Sequence, residues 1–263
     1  MPPQGLLVPT RTKLKYAVHR VWTATPPSGG SNQVHDLLVQ AETNAVASTS
    51  GQHWTTVDLK ILKFSGRDLS GTETAHLKQI APEIEKEDFY RDFHRKRTPM
   101  VWQGMATSNS GWAGLMAAKA IGMFEVGFLD GKLPSSSPAV GQTWTEDIPF
   151  GDDAIYGPEG FRPDIHDVKG TTAHCRFTVK SLDAATHSAT VTFTGTANIS
   201  LSYRDVFTGK PGRMTTAETQ SGEWTLNLET RIPRRFHADR TSKSSAPNGT
   251  ATTRTVTDVK LVE

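Results

Sequence analysis

Ala189-Thr-Val-Thr-Phe-Thr-Gly195-Thr-Ala-Asn-Ile-Ser-Leu-Ser-Tyr203 sets apolar or small residues at every odd position and hydroxyl or amide residues at every even one. A period of two places one set on each side of an extended chain, so this stretch reads as a half-buried β-strand. Its length exceeds an ordinary flat strand, which predicts a bulge or bend at Gly195 or Asn198. Upstream, Thr172–Lys180 carries Cys175, Phe177 and Val179 on one face, and Ser181–His187 turns the chain. Downstream, Gly222, Trp224, Leu226 and Leu228 continue the alternation after a loop. An antiparallel sheet with one oily face and one Thr-rich wet face follows.

The pattern extends to both termini. Lys13–Thr23, Val34–Ala47 and His53–Phe64 alternate in the same way and are separated by Gly/Ser-rich turns, a meander. In the first of them Arg20 shares a face with Leu14, Tyr16, Val18 and Trp22. Arg231–Thr241 and Thr252–Val262 form a closing hairpin around Ser244–Gly249. Between the two β regions the sequence predicts a helix from Pro82 to Arg97, with acidic residues at its start and basic ones at its end. A short strand over Met100–Gln103 follows. A second helix is expected over 110–122, capped by Ser110 and stopped by Gly122. Leu133–Pro138 is a boundary, Val140–Thr145 opens a new sheet region, and Gly151–Gly170 reads as a long loop. The expected fold is all-β with minor helices: two linked antiparallel meanders, 1–132 and 133–263, or one continuous domain, forming a curved sheet or half-barrel.

Composition narrows the function classes. The 29 basic and 27 acidic side chains leave a net charge of +2, so no global field draws the chain to nucleic acid. The single cysteine, Cys175, rules out an intramolecular disulfide framework and reads as a small buried hydrophobe. No apolar run reaches the length of a transmembrane helix.

Three stretches resemble bacterial extracytoplasmic β-proteins, mostly lipoproteins of unknown function. Pro138-Ala-Val-Gly-Gln-Thr-Trp-Thr145 is similar to the linker that opens their second sheet. Phe177–Asp183 with Ala189–Gly195 resembles their central hairpin. Ser221-Gly-Glu-Trp-Thr-Leu-Asn-Leu-Glu-Thr230 resembles their next strand, although Arg231 stands where they carry glycine. The resemblance covers about 130–262. It implies a fold and a periplasmic or extracellular location, with any targeting segment removed, and transfers no catalytic residue.

No catalytic motif is present. Ser108-Asn-Ser-Gly111 lacks the glycine frame of a nucleophile elbow, and Gly127–Lys132 is one residue short of a phosphate loop. The nine histidines are scattered singly. Asp152, Asp153, Asp164, His166 and Asp167 form the one acidic cluster that suits a metal, and hence a metal-dependent hydrolase. Their spacing matches no established metal loop, and turn chemistry accounts for them. No cofactor is expected, and a non-catalytic role is favoured. The 110–122 helix, rich in Ala, Gly and Met, covers an oily sheet thinly. It either packs flush or roofs a pocket for an apolar molecule such as a lipid, lined by Trp102, Trp112, Met116, Met123 and Phe124. An alternative is a structural module of an envelope or secreted assembly that pairs through its strand edges.

Overall fold

A computed structural model describes residues 12–26, 30–47, 54–71, 74–85, 88–91, 102–105, 133, 137–149, 164–170, 172–204, 209–247 and 249–262. The alternating segments become strands β1 (Thr12–Thr25), β2 (Gln33–Ala47) and β3 (Trp54–Asp68), then helix α1 (Thr74–Ile84) and short strands β4 (Asp88–Arg91) and β5 (Trp102–Met105). The second half supplies β6 (Thr143–Pro149), β7 (Asp164–Lys169), β8 (Thr172–Asp183), β9 (Ser188–Arg204), β10 (Pro211–Asn227), β11 (Pro233–Ala246) and β12 (Gly249–Val262). They form one twelve-stranded sheet ordered β5-β4-β3-β2-β1-β12-β11-β10-β9-β8-β6, with β7 also on β9. Every pairing is antiparallel. The sheet is open and curved and does not close into a barrel.

The topology places the chain's first and last strands side by side in the middle. β1 pairs β12 from Lys15↔Val262 to Thr25↔Thr252. Each half then meanders outward, so the edges β5 and β6 are neighbours in sequence but opposite ends of the sheet. Residues 106–142 join those two edges.

The β9–β10 pairing has no bulge at Gly195 or Asn198: β9 keeps an unbroken register with β10 from Ser188↔Asn227 to Arg204↔Pro211. Strand length is handled on its other edge instead. β8 pairs β9 from Ser188 to Thr196, and β7 takes over from Ser200 to Arg204. Gly170 lies at that handover with φ 72, so close that a Cβ would stand 1.8 Å from the Asn198 carbonyl oxygen. On that edge the register shifts lie in the partner strands, between Val179 and Ser181 of β8 and between His166 and Lys169 of β7. Residues 164–169, expected as the end of a loop, are thus a strand.

The helix expected at 82–97 is also corrected. The helix runs over Thr74–Ile84, and Pro82 sits in its last turn rather than its first. Leu77, Ile80 and Ile84 recur at helical spacing and are buried against β3, which fixes the register of the apolar stripe upstream of Pro82. Thr74 Oγ1 accepts from Asp68 N and donates to Asp68 O, both at 3.0 Å, tying the helix start to β3. Asp88–Arg91 then extends, because an edge of β3 is available to pair Phe89 opposite Leu59. The helix expected at 110–122 lies outside the described residues. Among described residues no helix is long and apolar enough to cross a membrane.

Candidate functional site

Cross-strand register aligns the apolar positions into ribs across the sheet. The first runs Phe64–Val39–Val18–Val259–Phe236–Trp224–Val191–Val179, from β3 to β8. None of these side chains is more than 4% exposed. A neighbouring rib on the same face runs Leu37–Arg20–Thr257–Ala238–Gly222–Phe193–Phe177–Trp144. Directly opposed residues in antiparallel strands share a face, so the period-two pattern forces these rows to form.

In the β6–β11 half the ribs become an aromatic cluster. Trp144 stacks on Phe177 with centroids 5.1 Å apart, and Phe193 stacks on Phe236 at 5.9 Å. Trp224 tilts against Phe177 at 5.3 Å and Phe193 at 5.5 Å. Such rings supply large apolar area with defined geometry. Trp224 is 4% exposed, and among the described residues its indole nitrogen Nε1 has no hydrogen-bond partner. In the other half, α1 packs Leu77, Ile80 and Ile84 on β3.

The same face turns polar one rib further on. Its row reads Asp68–His35–Trp22–Thr255–Arg240–Gln220–Gly195–Cys175–Glu146. His35 is buried and stacks on Trp22 at 5.1 Å. Arg240 reaches the buried Glu218 carboxylate at 2.6 Å. Gln220 Nε2 donates to Cys175 Sγ at 3.4 Å, while burial pushes the thiol up to about 11. Tyr16 is fully buried; its hydroxyl donates to the Pro233 carbonyl at 3.1 Å, and burial raises its pKa. The face is therefore amphipathic along the strand direction: oily over the first rib, interrupted by Arg20 and Thr257 in the second, and polar beyond them.

The opposite face is wet and held by ion pairs. His174–Asp147 and His237–Asp258 bridge neighbouring strands, and Lys180–Glu223 reaches from β8 across β9 to β10. A hydroxyl-rich open trough of about 660 Å3 lies there, floored by Thr194, Thr196, Thr219 and Ser221 beside Arg176. His174 is exposed and Cys175 buried, so these neighbours face opposite sides, as the strand period requires.

Of the residues expected to line an apolar pocket, Trp102 lies on edge strand β5, opposite Arg91 of β4. Trp112, Met116, Met123 and Phe124 lie outside the described residues. Of the acidic cluster, Asp152 and Asp153 lie outside them too. Asp164 and His166 pair Arg204 and Ser202, and His166 and Asp167 are exposed, the latter at φ 53. Among described residues no group of three His, Cys, Asp or Glu is placed to hold a metal. The sequence put Trp224, Phe177 and Phe193 on an oily face but gave no sign that they meet as one cluster. Phe236 carries no such signal in sequence because it is flanked by Arg235 and His237. Arg20, set among alternating apolar residues, was the visible trace of the polar positions on the buried face.

No protein-family model matches the chain, and neither does any curated protein. Among solved structures, it is similar to a lipovitellin described for its lipid–protein interactions, at 10% identity and a TM-score of 0.42. That match covers 97% of this chain but only 25% of the lipovitellin, so the chain spans a quarter of that protein's length. It is also similar to Pseudomonas putida OprB, at 8% identity and a TM-score of 0.25, covering 96% of this chain and 94% of that one. At these values the likenesses assign neither a family nor an activity.

Proposed function

We propose that this protein is a non-catalytic carrier or sensor of apolar, lipid-like molecules that works outside the cytoplasm. The observation that carries the reading is the unbroken apolar rib from Phe64 to Val179, joined at one end to the Trp144–Phe177–Phe193–Trp224–Phe236 ring cluster. A rib of this kind supplies the buried apolar lining that an acyl-chain site needs, and the rings give that lining a rigid end. In this reading Trp102, Trp112, Met116, Met123 and Phe124 supply the facing wall. Native mass spectrometry of freshly purified protein, with solvent extraction, tests it. An apolar molecule at near-stoichiometric level is expected. Bare protein mass, an empty extract and no uptake of added fatty acid contradict the reading.

A second reading, an interaction module, draws on the two ends of the sheet. β5 and β6 each pair one neighbour in the described sheet, and open strand edges recruit further strands. Concentration-dependent oligomers in light scattering support it, and a monomer at all concentrations removes it.

A further inference from the structure

Charge is spread unevenly over the wet face, although the whole chain carries only +2. At the end of the sheet where β1 begins, register puts Lys63 in one row with Lys260 and Arg235, and Lys60 in the next with Lys15. All five cations are exposed, and among the described residues none has an ion-pair partner. Nearby carboxylates are held by other groups. Glu42, opposite both Lys15 and Lys60, binds Lys13 at 2.6 Å, and Asp258 binds His237 at 2.7 Å. Arg235 and Lys260 stand directly opposite each other, a like-charge pairing that weakens a sheet. Exposed aliphatic side chains lie among these cations: Val262 opposite Lys15, Leu62 in the β3 bulge beside Lys63, and Leu38 one row beyond Gln40. Each is at least 38% exposed, so three of the six large apolar side chains exposed among the described residues share this one patch. Neither the facing cations nor the bare aliphatic groups stabilise the isolated fold.

We propose that this patch docks the protein on an anionic phospholipid bilayer, its cations on headgroup phosphates and Leu38, Leu62 and Val262 in the boundary with the acyl chains. Strands lie about 4.8 Å apart, so the cations from β11 to β3 spread over about 19 Å, the footprint of a surface rather than of one small anion. Basic residues interleaved with exposed aliphatic ones are the chemistry of the membrane interface. Aliphatic groups have no role against a nucleic-acid backbone, and among the described residues no Phe, Tyr or Trp joins the patch to stack on a base. The anionic character of the partner stands on the charges alone. Its being a bilayer also rests on the carrier reading above, since a lipid carrier must meet the membrane that loads it.

The test floats the full-length protein with vesicles of phosphatidylcholine alone or of phosphatidylcholine mixed with phosphatidylglycerol. Binding is expected to the mixed vesicles only, and to weaken as salt screens the charges. Near an anionic surface one positive charge is worth about fivefold in affinity, so Lys260→Glu, which removes one and adds its opposite, should weaken binding by about 25-fold. The new carboxylate faces Arg235, so this variant keeps its fold. Lys243 is equally exposed but lies opposite Thr252, eight residues along β12 from Lys260 and about 27 Å away. Lys243→Glu should therefore cost far less. Leu38→Ser should weaken binding most clearly at raised salt, where apolar insertion carries more of the affinity. Equal binding to the two kinds of vesicle, or equal losses in Lys260→Glu and Lys243→Glu, overturns the proposal. So does tighter binding to a duplex oligonucleotide than to the mixed vesicles, which would make nucleic acid the partner. None of these results touches the carrier reading, which stands or falls on uptake of added fatty acid from solution.

Discussion

Gly222 of β10 lies directly opposite Phe193 of β9, and the Phe193 ring fills the space that a side chain at 222 would need. A Cβ there would stand 2.7 Å from Phe193 Cε1 and 2.0 Å from the His237 carbonyl oxygen of β11. The ring could swing aside, but the backbone oxygen cannot without parting β10 from β11. Gly222→Ala should therefore destabilise the protein by about 1–3 kcal/mol, the usual cost of overpacking. Urea midpoints at constant slope measure this. A loss below about 0.5 kcal/mol, typical of surface changes, would show that the ring cluster is loosely packed.

The handover between β7 and β8 on the edge of β9 makes a second, local prediction. Gly170 has φ 72 and its Cα faces the Asn198 carbonyl, with no room for a Cβ. Gly170→Ala meets both a left-handed backbone and a steric clash. The expected result is raised amide exchange at Ile165 and His166, with β9 and β10 protection near Trp224 unchanged. Uniform loss of protection across the sheet would contradict this.

Acid should weaken the ion pairs of the wet face in a predictable order. The Arg254 guanidinium, hydrogen-bonded to Asp239 at 2.6 Å, holds that carboxyl below its ordinary value. At Asp36 partial burial works upward, but hydrogen bonds from Arg67 and His19 prevail and hold it low. A depressed carboxylate stabilises the fold fully above its unfolded pKa of about 3.9, and the contribution fades as pH falls through the folded value. Asp239→Asn should thus cost about 1 kcal/mol or less near neutrality, because the pair is partly solvated. That difference should vanish toward pH 2–3. A penalty that persists there would place its origin outside the ion pair.

Alkaline conditions act on the buried face. Cys175 is 2% exposed, and burial pushes its thiol up to about 11. A raised thiol pKa leaves stability intact below the unfolded value of about 8.5 and removes it as pH climbs toward the folded one. At pH 8 an aromatic disulfide reagent should react with native Cys175 far more slowly than with urea-unfolded chain. Equal rates would mean that the polar row beside the ribs is open to solvent.

Much of the fold could be read from the chain because its signal has a period of two. The alternation around Val191 and Phe193 identified β9 and its buried side, and the same rule placed Tyr16 and Val18. What failed was long-range pairing. Asn198 does mark a change, but it falls on the neighbouring edge, where β7 replaces β8. Pro82 suits both a first turn and a late exposed one, and only the packing of Leu77 on β3 decides between them. Arg231 stands where similar β-proteins carry glycine, and its φ of 61 is the conformation glycine favours. The ring cluster was hidden because its members lie on five different strands. The orphaned Trp224 donor cannot be read from sequence at all, since it depends on what each neighbour lacks.

The central claim, that the ribbed face holds an apolar molecule, is tested most directly by tryptophan quenching with 9,10-dibromostearate. Bromine quenches only at near contact, so saturable quenching reports an acyl chain lodged beside buried rings. Saturation near one ligand per chain is expected, with the quenched fraction clearly smaller in Trp224→Phe. Quenching that rises linearly without saturation, or that is unchanged in Trp224→Phe, would contradict it.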